Sequence, residues 1–130
     1  MASPADYLQS VCNFFTTSLN FSEHISEPLI EWIADYGTLA ADLGLRDNSR
    51  LSIFLSVDYS KDYPIWRQYA LHYQNRNAQL VFRYDNYPHY PGLPFYPNHK
   101  HIRDASVTGC PEPHLRDVLQ EIAEFIERSS

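Results

Sequence analysis

His99-Lys100-His101 puts two imidazoles two residues apart, and in an extended chain residues i and i+2 lie on the same side. Imidazole is the side chain best suited to moving protons near neutral pH. Lys100 between the two, and Arg83 upstream, offer the positive charge that a phosphate or an oxyanion requires. These residue types fit cleavage of an RNA phosphodiester without a metal. One histidine takes the proton of the ribose 2′-OH, another protonates the leaving 5′-oxygen, and Lys100 or Arg83 stabilises the added charge on phosphorus. No cofactor and no metal is expected. His89, in Tyr87-Pro88-His89-Tyr90, is either the second acid or base or a loop histidine stacked on a tyrosine. A zinc site of His89, His99 and His101 is the alternative, since three histidines and a water form a catalytic set. Read structurally, His99 and His101 are an ordinary loop pair.

Arg83-Tyr84-Asp85-Asn86 stands at the end of an alternating apolar run. Arg83 and Asp85 share a face and either pair with each other or divide the work. In the second case Arg83 clamps a phosphate and Asp85 fixes a histidine tautomer. Asn86 either opens the following loop by an Asx-turn or touches substrate. Tyr84, Tyr87, Tyr90 and Tyr96 either stack on RNA bases or pack on prolines. His72 lies in mid-strand, in the core or on the sheet surface, and His24 and His114 are expected on the surface.

The stretch from Arg83 to His101 also resembles the core motif of the TumE-type toxins of prokaryotic toxin–antitoxin pairs. That motif is an Arg-aromatic-Asp-Asn-x-Pro-His-His stretch followed by Pro-His-His-Lys-His. The resemblance extends over roughly residues 30–125. Two positions depart from the motif: Tyr90 stands where a second histidine is usual, and Asn98 where a histidine precedes His99. Neither position therefore carries an indispensable histidine. The resemblance implies a toxin with a small antitoxin partner that has a helix-turn-helix domain. An RNA substrate is the expectation drawn from the histidine, lysine, arginine and tyrosine chemistry.

Between Asn86 and His101 the chain carries Pro88, Pro91, Pro94 and Pro97 at a spacing of three. Each fixes φ and removes an N–H, which excludes a helix or a central strand. A long loop is expected over 86–101, and its aromatic content argues against disorder. Upstream, Ser3-Pro4-Ala5-Asp6 reads as a helix start, with an apolar stripe through Leu8, Val11 and Phe15 that predicts a helix over about 4–18. Period-2 runs follow, clearest at Leu39-Ala41-Leu43-Leu45 and Leu51-Ile53-Leu55-Val57 around the turn at 46–49. They predict an antiparallel sheet over about 29–85, with Arg83 and Asp85 on the face opposite Leu80, Phe82 and Tyr84. Apolar residues at Leu115, Val118, Ile122 and Phe125 predict an amphipathic helix over about 113–128. The fold class is α+β: one domain holding a β-meander of about four to six strands, with both helices packed on one face.

At 130 residues and 44% hydrophobic composition the chain can bury a core. No apolar run approaches a membrane span, and the first residues do not resemble a signal peptide. Cys12 and Cys110 are too few for a disulfide framework, so reduced thiols and a cytoplasmic location are expected. The net charge of −6 argues against non-specific nucleic-acid binding by the whole surface. Residues 83–103 nonetheless carry a local balance of +2. The acidity favours a second possibility, a non-catalytic module that docks a protein through its proline–tyrosine loop.

Overall fold

The computed structural model describes residues 3–129. Helix α1 (Pro4–Thr16) begins where its capping residues predict. The Ser3 hydroxyl accepts a hydrogen bond from the Asp6 N–H at 3.1 Å, and Pro4 fills the first turn. Eight strands follow: β1 (Phe21–His24), β2 (Leu29–Ile33), β3 (Tyr36–Leu45), β4 (Arg50–Asp58), β5 (Ile65–Gln74), β6 (Leu80–Asp85), β7 (His99–Ile102) and β8 (Val107–Gly109). Helix α2 (Leu115–Ser129) ends the chain. No helix among the described residues is long and apolar enough to cross a membrane.

All neighbouring strands are antiparallel, in the order β1-β3-β4-β5-β6-β7-β8, and β2 pairs with the first half of β3. The architecture is the expected α+β meander with terminal helices, but with more strands than the period-2 runs marked. The excess has two sources. The sheet begins at Phe21 rather than near residue 29, because β1 lies along the second half of β3. It also continues past residue 85, because His99–Ile102 and Val107–Gly109 add two short strands. The proline-rich loop is thus residues 86–98, and the His-Lys-His motif belongs to the sheet.

Local side chains form the tight turns. Asp47 accepts from the backbone N–H of Ser49, and Asn75 accepts from those of Asn77 and Gln79. Alternation then gives the sheet two different faces. Leu39, Leu43, Leu51, Leu55, Leu71, Tyr73 and Phe82 bury against Leu8, Val11 and Phe15 of α1 and Val118 and Ile122 of α2. Gly37 permits the approach of α1, since a Cβ there would lie 2.9 Å from a Leu8 methyl.

Among the described residues the other face carries no helix. On it Asp42 accepts from the Ser52 hydroxyl at 2.6 Å and pairs with Arg50 at 3.1 Å. Burial pushes the Asp42 carboxyl up, but the Ser52 and Arg50 contacts outweigh this and hold it below its ordinary value. A carboxyl with a lower pKa folded than unfolded adds stability above its unfolded pKa, and that stability is lost as pH falls through the folded value. Asp42→Asn should therefore lower the thermal midpoint at neutral pH and lose its effect in strongly acid buffer. Equal losses in both buffers would mean that the charge is not what stabilises.

Candidate functional site

The β6–β7 hairpin assembles the polar groups. Across it Asp85 faces His99 and Arg83 faces His101. Across β5–β6, Ala70 faces Asp85 and His72 faces Arg83. The register continues through β4 and β3, so Asp42, Ser52, His72, Arg83 and His101 form one row on the helix-free face. Ala40, Phe54, Ala70, Asp85 and His99 form the row beside it.

Asp85 is the hub of the cluster and is only 4% exposed. Its Oδ2 accepts from Arg83 Nε at 2.9 Å, and its Oδ1 accepts from the Tyr87 backbone N–H at 3.0 Å. His101 Nε2 lies 3.6 Å from Oδ2, in ion-pair range but too far for a hydrogen bond. His99 is 1% exposed. Its Nδ1 lies 2.9 Å from the Pro97 carbonyl oxygen, which can only accept, so Nδ1 carries a proton. Its Nε2 lies 2.9 Å from Asp85 Oδ1. That distance would suit a hydrogen bond, yet the alignment does not. Nε2 is the buried side-chain polar atom left without a hydrogen-bond partner among the described residues. The strength of a hydrogen bond falls steeply with angle, so the short separation alone does not make one.

The 86–98 loop folds back over these groups. The Tyr90 ring packs edge-on against His99 and His101, with centroids 5.1 and 5.9 Å apart, and His89 lies between Tyr87 and Tyr90. His101 keeps a 24% exposed side chain. Burial pushes its pKa below the ordinary histidine value; the Asp85 charge opposes this, and His99, Arg83 and His89 reinforce it. Arg83, 40% exposed along its side chain, stands between two clefts. One, of about 420 Å³, is lined by Phe54, Tyr69, Asp85, Asn86 and Tyr87, and the other, of about 480 Å³, by Asp42, Ser52, Phe54 and His72.

Arg83, Asp85, His99 and His101 thus converge, with His89 at their margin. Three residues singled out from the sequence lie elsewhere. Lys100 alternates to the helix face, where its Nζ binds Glu121 at 2.7 Å above the rings of Phe82 and Tyr84. The Tyr84 hydroxyl donates to the same Glu121 at 2.6 Å. Asn86 ties the loop to β5, accepting from the Tyr69 N–H and donating to the Arg67 carbonyl. The carboxylate of Asp85, rather than His89, completes the group of three ligand-type side chains whose donor atoms lie within 4.8 Å of one another.

His72 is the residue that sequence reasoning left unassigned. Its Nδ1 lies 3.4 Å from an Arg83 guanidinium nitrogen. Burial lowers its pKa, and the charges of Arg83 and Arg50 lower it further. The alternation of residues 66–73 already set it opposite Leu71 and Tyr73, but only the β5–β6 register puts it beside Arg83.

Comparison with known proteins agrees with the Arg83–His101 motif. The family model described as toxin TumE matches residues 22–129, which takes in every strand but the first residue of β1, the whole proline-rich loop and all of α2. No curated protein and no solved structure matches the chain. Membership in that family implies an antitoxin partner. With the motif, its placement in one hairpin and a family match over most of its length, the chain belongs to the TumE toxin family, the toxin side of toxin–antitoxin pairs.

Proposed function

We propose that this toxin is a ribonuclease that cleaves RNA by histidine acid–base chemistry at the Arg83–Asp85–His101 cluster. The observation that carries the reading is His101: a partly exposed imidazole held beside a buried carboxylate, next to an arginine that lines two clefts. Asp85 attracts a proton to Nε2 of His101, which leaves the lone pair on Nδ1. Nδ1 takes the 2′-OH proton, the 2′-oxygen attacks phosphorus, and the 5′-oxygen leaves with a proton from His89. Arg83 binds the non-bridging oxygens, where charge accumulates in the transition state. His99 lies buried under Tyr90, so it takes no direct part in the proton transfers. Exposed Tyr87 and Tyr96 offer surfaces on which unpaired bases can stack.

Every step closes with side chains of this chain. The products are a 2′,3′-cyclic phosphate and a 5′-hydroxyl. The purified toxin should therefore cut single-stranded RNA to these ends and leave the same strand intact when every 2′-OH is replaced by hydrogen. Cleavage of the all-deoxy strand would sink the 2′-OH mechanism. The antitoxin is read as a small helix-turn-helix protein, as the family resemblance implies, and the cytoplasm as the place of action.

The second reading, a non-catalytic module docking a protein through the loop, draws on the exposure of Tyr87, Phe95 and Tyr96. RNA left intact by folded toxin, together with capture of a partner that loop substitutions abolish, would favour it.

A further inference from the structure

The proton-transfer scheme leaves His99 Nε2 unexplained. His99 Nδ1 donates to the Pro97 carbonyl, and its Nε2, buried and without a hydrogen-bond partner, lies 2.9 Å from Asp85 Oδ1. His101 Nε2 faces the other oxygen of the same carboxylate at 3.6 Å. One ligand-type atom from each of Asp85, His99 and His101 lies within 4.8 Å of the other two, a spacing that a single bound cation can span. We propose that Asp85, His99 and His101 form a binding site for a divalent transition-metal ion of the zinc class.

The dimensions suit such an ion. Zinc bonds of about 2.0–2.1 Å in a tetrahedron set ligand atoms about 3.3 Å apart, between the 2.9 and 3.6 Å that separate the carboxylate oxygens from the two rings. Two imidazoles and a carboxylate are a zinc-type donor set with a fourth position open. Of the three ligands, His101 is the one that stays partly exposed. The supporting contacts are those that metal-bound groups usually have: His99 Nδ1 donates to the Pro97 carbonyl, and Asp85 accepts from Arg83 and from the Tyr87 N–H. Arg83 is the opposing influence, because its charge lies one carboxylate away from the ion. All three ligands come from β6 and β7, so the site exists whenever that hairpin is paired.

Binding also has a consequence that rests on the ribonuclease reading. A neutral imidazole has one lone pair. Zinc on Nε2 of His101 sends the ring proton to Nδ1, the atom that would accept the 2′-OH proton. The ion and the base are then mutually exclusive, and zinc holds the toxin inactive.

The test is a calorimetric titration of chelator-stripped, full-length toxin with Zn²⁺, with circular dichroism to confirm the fold of each variant. One equivalent should bind. His101→Gln and Asp85→Asn should weaken binding by more than the roughly 10–100-fold typical of losing an outer-sphere partner, while His24→Gln, on the exposed β1, should leave it unchanged. Should Asp85→Asn fail to fold, His101→Gln decides alone, since its ring is partly exposed. Equal affinity in wild type and folded His101→Gln would overturn the site. RNA cleavage, run in parallel, should fall as zinc fills the site. If zinc instead restores cleavage lost in chelator, the metal site stands and the metal-free acid–base step is what fails.

Discussion

Replacing His101 by alanine should reduce RNA cleavage by at least about 10²-fold, the lower end of what a general acid or base contributes, while the protein stays folded. The two effects separate because of where the residue sits. Its ring is partly exposed at the end of the β6–β7 hairpin and is absent from the packed core of the helix-facing side. Its contacts are an ion-pair-range approach to Asp85 and edge-on packing with Tyr90 and His99. Losing them should shift stability by about 0.5 kcal/mol or less, as for most surface substitutions. Toxicity on induced expression should disappear in parallel, and binding to the antitoxin should persist. The melting curve is essential to the comparison: a fall in both activity and midpoint would assign His101 a structural role. A folded His101→Ala toxin that still cuts RNA at the wild-type rate would remove this residue from the mechanism.

Gly109→Ala should be the most damaging of the glycine-to-alanine changes. Gly109 pairs with His99 across β7–β8, on the side over which the proline-rich loop passes. A Cβ there would overlap the Pro94 carbonyl oxygen and come within 3.0 Å of the Pro94 nitrogen. These are backbone atoms, so no side-chain rotation relieves the clash, and the loop itself must move. Overpacking of this kind typically costs about 1–3 kcal/mol, which for a domain of this size lowers the midpoint by several degrees. The same loop carries Tyr90 and His89 and ends at the Pro97 carbonyl that orients His99. Cleavage should therefore fall further than stability does. Gly92→Ala is the matched control, because its added methyl meets nothing within 4 Å and its φ is not positive. It should leave both properties intact or raise stability slightly, by restricting the unfolded chain. A Gly109→Ala protein that melts and cuts like wild type would show that the loop does not rest against β8 in solution.

Much of the architecture was legible from short-range chemistry. Ser3, Pro4 and Asp6 start α1 where their capping preferences predict, and the 3.6-residue stripe of Leu115, Val118 and Ile122 marks α2. The period-2 runs in β3 and β4 are strong because one face of each strand is buried, which forces a hydrophobic residue at every second position. The same alternation put Arg83 and Asp85 on one side and Phe82 and Tyr84 on the other, as found. Strands β1, β7 and β8 were harder to read. They are only three or four residues long, too short for alternation to rise above chance, and they are held by pairing with distant strands rather than by their own pattern. Lys100 shows the cost of that gap. Read as the end of a loop, the His-Lys-His motif appears as a single basic unit. Read as β7, it divides, with His99 and His101 toward Asp85 and Lys100 toward Glu121.

By itself the sequence determined which residue types lie near one another along the chain, which faces are apolar and which family the motif resembles. Only the tertiary structure decided which polar side chains meet. Strand register does this, because pairing β6 with β7 and β5 sets His101, Arg83 and His72 in one row. The long loop does the rest. It closes over His99 and excludes water from a carboxylate and an imidazole that the sequence, read locally, leaves exposed. Both effects depend on contacts between residues far apart in sequence, for which local propensity and periodicity carry no signal.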